Sequence, residues 1–482
     1  MATSSEIRAQ LGHPVIDADG HVLEYLPAVE PHLRQALGPA AFERYRAQST
    51  PLHRIMDADT DRRLVTRTPQ SAWWGTPARN VRDLATAAAP ALMYDRMDEL
   101  GLDYAVLYPT KGFGIAGIAD DELRAGVCRG FNEFYAATYG PYADRMTMAG
   151  VVPMHTPAEA MEGLRHCAEL GLKVVAFPEG VTRPIPEPTL EGGSPFLMPG
   201  QRHWFDSFGL DSAYDYDSVW ALARELGFAV TFHGGLGNMA SGSFTSVTNY
   251  SFNHVGSFAQ RMHTLVKSLF MGGVTRRFPD TSLAVLECGV GWAAILLNDL
   301  LDHWEKRRPE GLEPLDPAGI DWDELEALMR THGPDLLAAS DDVASGLALI
   351  PGIGVPPADR DEWRHVGAST KEELIERFAP NFFFGCEADD RTIAYAFSPA
   401  NSRGFELKPI FSSDIGHWDA GDVAGVVAES YELVEDGVLT EDQYSRFVYE
   451  NPARLFLGQN PQFFEGTPVA GRAAELLADS TQ

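Results

Sequence analysis

The chain has 482 residues, 45% hydrophobic and 10% aromatic, enough apolar surface to bury a large core and to exclude wholesale disorder. Its 38 Lys+Arg stand against 68 Asp+Glu, a formal net charge of −30 that repels phosphate backbones and anionic lipid headgroups, so neither nucleic acid nor membrane is an expected partner. No run approaches the ~18 apolar residues of a membrane span, and residues 1–10 lack the basic and apolar regions of a secretory signal.

In chain order, short β-branched or apolar runs predict strands at 15–17, 104–108, 146–153, 173–177, 229–232, 283–286, 381–384 and 409–412. Amphipathic stretches at 91–100, 121–138, 157–170, 218–226, 258–270, 292–303 and 423–435 predict helices between most of them. Eight strand–helix units call for parallel strands with helical crossovers. The count favours an α/β fold of the (β/α)8 TIM barrel class over a doubly wound open sheet. One barrel domain over 1–460 is expected, with a C-terminal tail at 461–482. Three large loop insertions, at about 25–90, 179–217 and 305–370, account for the extra length, and insertions that follow strands fall on a barrel's catalytic face.

Barrel enzymes collect chemistry at strand C-termini, so the residues there matter most. The first strand runs into Asp17-Ala18-Asp19-Gly20-His21, where Asp19 and His21, two apart, share a face. The fifth ends at His233-Gly234-Gly235, the sixth at Glu287-Cys288-Gly289, and the eighth at Ser412-Ser413-Asp414-Ile415-Gly416-His417-Trp418. Any one such residue alone is more often a turn former or cap than a ligand. Their coincidence on four strands predicts a divalent metal site of oxygen and imidazole donors, suited to Zn, Mn or Fe. Cys128, Cys167, Cys288 and Cys386 lie far apart without a CxxC pair, so a thiolate site and a disulfide framework are both excluded and a cytoplasmic location is expected.

The ordered motifs DADGHVLE, FHGG, LECGVGW and SSDIGHWD resemble the amidohydrolase superfamily, and most of all its amidohydrolase-related branch of aminocarboxymuconate-semialdehyde decarboxylase-like enzymes. The resemblance implies metal ligands at Asp19, His21, His233 and Asp414, with Asp414 also the proton acceptor. Glu287 stands where that branch often has a base-acting His, and Asp19 where it commonly has the first His of His-x-His. Glu287 is therefore expected as a further ligand or proton shuttle. The implied activity is hydrolysis or decarboxylation of a carboxylated or aromatic small molecule by a metal-activated water. The carboxylate-rich donor set supports an alternative with a second metal ion: a non-haem diiron monooxygenase hydroxylating a natural-product acid or its CoA thioester.

Further residues carry two readings each. Glu24 either orients His21 through its second ring nitrogen or is a surface glutamate at a helix start. His254 is either a substrate-facing acid/base or a loop histidine bonded to backbone. Glu387, beside Asp389, would add a fourth inward carboxylate. His417 is expected to seat the last strand's loop. His203, Trp204, Trp73 and Trp74 either line a pocket or pack long loops. The Gly112–Gly117 stretch, GFGIAG, matches a dinucleotide fingerprint by letter, but its candidate acidic partner Glu133 falls at the wrong spacing, so a flexible loop is expected. The acidic stretches 57–61 and 341–342 read as solvated surface. A homodimer is the expected assembly.

Overall fold

The computed structural model describes residues 2–48, 60–67, 69–70, 80–185, 202–235, 246–315, 319–347, 360–417 and 420–479. Trp73, Trp74, Trp418 and residues 57–59 lie outside the described residues.

Eight strands form one parallel sheet: β1 (Ile16–His21), β2 (Tyr104–Tyr108), β3 (Met146–Val151), β4 (Val174–Pro178), β7 (Ala229–His233), β8 (Leu283–Val285), β9 (Phe382–Cys386) and β10 (Lys408–Phe411). Their order follows the chain, β1-β2-β3-β4-β7-β8-β9-β10, every ladder is parallel, and helices lie between most neighbours. This is a (β/α)8 TIM barrel. Both faces of its strands are covered, which is why YAVLY, VVAFP and FFFGC read as continuous apolar runs rather than alternating ones.

Crossover helices start where the sequence supplies caps. Asp120 accepts from the Leu123 N–H and Thr156 from the Glu159 N–H, opening helices Asp121–Tyr139 and Pro157–Glu169. Gly101, at φ 75°, ends helix Pro90–Leu100 in a left-handed turn that leads into β2.

The seam between β10 and β1 carries no regular ladder. It is closed instead by single bonds: His21 N to the Ile415 carbonyl at 2.7 Å, Asp414 N to the Asp19 carbonyl at 3.2 Å, and Ser412 Oγ to that same carbonyl at 3.0 Å. Asp17 completes the seam, accepting from the Ser413 N–H at 3.0 Å and from the Ser413 hydroxyl at 2.5 Å. The register of β1 against β2 shifts between Asp17 and Gly20, the irregularity that re-aims β1's last side chains.

The second insertion holds two antiparallel strands, β5 (Val181–Pro184) and β6 (His203–Asp206). Arg183 anchors them through Asp206, the Tyr216 hydroxyl at 2.9 Å and the His155 carbonyl at 3.0 Å. His203 and Trp204 are β6 residues, paired with Pro184 and Arg183. Within the tail, Phe463 and Phe464 are buried, with ring centroids 6.0 and 5.4 Å from Tyr104 at the N-terminal end of β2.

Candidate metal centre

Asp19 and His21 lie on β1, His233 is the last residue of β7, Glu287 lies two past β8, and Asp414 three past β10. Asp19, His21 and His233 are 0% exposed, and Glu287 and Asp414 6%. All five sit at the C-terminal ends of their strands, so the barrel brings residues up to 395 positions apart to one point on its axis.

The protonation pattern follows from the backbone. His21 Nδ1 lies 3.3 Å from the Pro109 carbonyl and His233 Nδ1 2.8 Å from the Gly234 carbonyl. A carbonyl can only accept, so each Nδ1 carries the proton and each Nε2 offers a lone pair. Burial, then the neighbouring His417 and His233 rings, hold His21 well below the usual imidazole range, and burial brings His233 down to about 4. Both rings are therefore neutral, the form that ligates.

The two Nε2 atoms face each other at 3.3 Å. Asp19 Oδ1 lies 3.6 and 3.7 Å from them, Glu287 Oε2 3.3 Å from His233 Nε2, and Asp414 Oδ1 3.5 Å from His21 Nε2. Lone pairs and carboxylate oxygens aimed at one point repel each other unless a cation sits among them. Tetrahedral ligands about 2.1 Å from zinc stand about 3.4 Å apart, close to the separations seen here. Asp19 Oδ1, moreover, is buried with no hydrogen-bond partner among the described residues, a state a bare carboxylate oxygen does not sustain. Burial and then Asp17 push the Asp19 carboxyl well above its ordinary range, against the opposing pull of the Ser412 hydroxyl and the Glu287 backbone, and an added positive charge would favour its ionised form. The donor set fits a divalent cation.

Donor atoms fall into two overlapping groups, each within 4.8 Å: Asp19, His21 and His233, and then His21, Glu287, Asp414 and His417. His417 is the residue that the sequence reading underplayed. It does more than seat a loop, for its ring stacks on His21 at 3.7 Å between centroids and its Nδ1 lies 2.6 Å from Asp414 Oδ1. The signal was present in SSDIGHWD, where His417 follows Asp414 by three. Glu287 spans the two groups, with Oε2 toward His233 and Oε1 4.0 Å from His417 Nδ1.

Backbone strain marks the same residues. Glu287 and Asp414 are non-glycine residues in the left-handed region, at φ 52° and 50°. Gly416, at φ 100°, passes so close to β1 that a Cβ there would meet the His21 carbonyl oxygen at 2.7 Å.

Several sequence expectations are corrected. Glu24 neither touches the His21 ring nor lies on the surface: it is 6% exposed and binds the loop after β2. That loop, GFGIAG, is accordingly fastened, and contains a short 3-10 turn, Ile115–Gly117. Its Phe113 ring, unremarked in the sequence, lies 4.8 Å from the His233 ring and 5.5 Å from that of His21, shielding both. Glu387 is exposed rather than inward. It lines, with Asp389, Asp422, Glu429 and Glu432, a cleft of about 700 Å³ that includes Asp414. That acidic wall is unsuited to an anionic substrate. His254 is half-buried on helix Tyr250–His254, stacked on Tyr250 at 5.3 Å. The Phe258 ring lies 5.9 Å from the His254 ring and 6.4 Å from that of His233.

The amidohydrolase family model matches residues 16–337. No curated protein matches the chain. Among solved structures, an amidohydrolase from Mycobacterium avium subsp. paratuberculosis K-10 aligns with TM-score 0.52 and 16% identity, over 92% of this chain and 100% of that one. A dihydroxybenzoic acid decarboxylase from Polaromonas sp. JS666, with bound manganese and 2-nitroresorcinol, aligns with TM-score 0.46 and 13% identity over 94% and 99%. The 2,6-dihydroxybenzoate decarboxylase from Rhizobium gives 0.44 and 14% over 92% and 98%. At these identities the likeness concerns the fold. No helix among the described residues is long and apolar enough to cross a membrane.

Proposed function

The chain belongs to the amidohydrolase family, and from that membership and the convergent donors we propose that it is a metal-dependent hydrolase or decarboxylase acting on a carboxylated or aromatic small molecule. The observation that carries this reading is the approach of two neutral imidazole Nε2 atoms to 3.3 Å beside the buried Asp19 Oδ1. Asp19, His21, His233 and Asp414 would hold the cation, with Glu287 at its edge. A bound divalent ion supplies Lewis acidity and makes water a nucleophile near neutral pH.

The remaining chemistry belongs to the chain's own residues. Asp414, with Oδ1 toward both His21 and His417, is placed to take a proton from water or to return one to substrate carbon. His417, held well below the imidazole range by burial and then by His233 and His254, is neutral and can relay that proton. Phe113 and Phe258 exclude bulk water on the histidine side. His254 is the candidate acid/base at the rim, reaching substrate rather than metal.

A second reading is favoured by the second donor group. His21, Glu287, Asp414 and His417 would hold a second ion, and the diiron monooxygenase is then the alternative. Protein reloaded with Mn²⁺ or Zn²⁺ and offered a panel of aromatic carboxylic acids, amides and esters under nitrogen separates the two. Release of CO₂ or of the hydrolysed acid without O₂ is the expected result. Turnover that requires O₂, from protein carrying two irons per chain, would overturn the hydrolase or decarboxylase assignment.

A further inference from the structure

We propose that Glu24 is a positioning residue for the metal centre, acting through the loop after β2 rather than by contact with any ligand. This inference rests on the cation reading of the site. The Glu24 carboxylate accepts four hydrogen bonds. Oε2 takes the N–H of Lys111 at 2.7 Å and of Thr110 at 3.3 Å, and Oε1 takes the N–H of Gly112 at 3.0 Å and the Tyr135 hydroxyl at 2.7 Å. Burial pushes the carboxyl up, and these donors, Tyr135 first, pull it back. No cation is needed to explain this acid, because its partners are all neutral donors, three of them consecutive backbone amides.

Those three amides lie between two residues that act on the centre. Pro109, immediately before them, presents the carbonyl that faces His21 Nδ1 at 3.3 Å. Phe113, immediately after, lays its ring against His21 and His233. The 3.3 Å separation is at the long end for a hydrogen bond, so a small drift of the loop releases the ring. Gly112 has no room for any other residue, since a Cβ would meet the Tyr135 hydroxyl at 2.5 Å and Pro109 Cβ at 2.7 Å. Glu24 thus fastens a five-residue strap whose two ends set the tautomer and the shielding of the histidine donors. Groups that hold the far nitrogen of a ligating histidine typically change metal affinity 10–100-fold when removed.

The test is metal affinity measured by competition against a chromophoric chelator with Zn²⁺, together with the visible spectrum of the Co²⁺-loaded protein. Glu24→Gln puts an amide NH₂ against backbone N–H donors. It is expected to fold, to weaken Zn²⁺ about 10–100-fold, and to alter the cobalt ligand-field bands. Tyr135→Phe removes a single donor and is expected to weaken Zn²⁺ several-fold, with a smaller spectral change. A folded Glu24→Gln with affinity within twofold of the parent and an unchanged cobalt spectrum would overturn the proposal. If Glu24→Gln does not fold, Tyr135→Phe decides by the same criteria. Failure of the parent protein itself to bind Zn²⁺ would instead overturn the metal centre, and this proposal with it.

Discussion

Glu287 and Asp414 hold their carboxylates in place from a backbone conformation that L residues avoid, at a cost of roughly 1 kcal/mol each. Both also bring carboxylate oxygens within 4.8 Å of the His21 and His417 ring nitrogens. The metal-free site is therefore a store of strain and repulsion that a cation relieves. Glu287→Asn tests this at a single residue, since asparagine tolerates the left-handed region and carries no charge. The metal-free variant is expected to melt higher than the metal-free parent, by an amount equivalent to about 1 kcal/mol, while binding metal at least tenfold more weakly. A lower melting temperature in the metal-free variant would show that Glu287 supports the fold rather than loading it.

His155 gives a second residue whose environment has a measurable consequence, and here the element it serves is the β5–β6 pair. Burial, then Arg124 and Arg183, bring its pKa from 6.5 to about 4. The unfolded chain therefore binds more protons than the folded one between those values, so His155 contributes stability above pH 6.5 that is lost as pH falls toward 4. His155→Gln keeps the carbonyl that receives Arg183 and removes the titration. Melting temperature recorded from pH 7 to pH 5 should fall less steeply in the variant than in the parent. Equal slopes would contradict the assignment.

The β2 run was legible to the residue, because a strand buried on both faces is uninterrupted by polar residues. β1 was read short, as 15–17, because Asp19 and His21 are polar residues buried for chemistry and break the apolar signal. The donors on β1, β7, β8 and β10 were legible as strand-end residues. His417 and Phe113 were not, because each owes its role to a turn that carries it back over the axis. Glu24 escaped both of its readings for a similar reason. Three of its four partners are backbone amides more than 80 positions away, and amides leave no mark in a sequence. The β5–β6 pair lay inside a Pro- and Gly-rich insertion where no strand period stands out.

For the whole molecule, the −30 charge acquires a partial explanation. Asp17, Asp19, Glu24, Glu287 and Asp414 are all buried, the last four at or just past strand C-termini. Asp17 closes the barrel seam and Glu24 fastens a loop, so Asp19, Glu287 and Asp414 are left for a cation. Glu387, in contrast, belongs to the acidic cleft. A ligand that binds only the folded chain stabilises it by mass action, about 2.7 kcal/mol at a hundredfold excess over its dissociation constant. Chelator-treated protein should accordingly melt lower than the same protein reloaded with Zn²⁺ or Mn²⁺, and identical melting curves would speak against a site built into the fold.

The most direct measurement is elemental analysis of protein purified without chelators, parent and His233→Ala side by side, reporting both metal identity and atoms per chain. The barrel's donors predict at least one divalent transition-metal ion per chain in the parent and a fall to background in the variant. A parent chain that carries no metal above background, or a His233→Ala variant that retains the full complement, would contradict the metal centre.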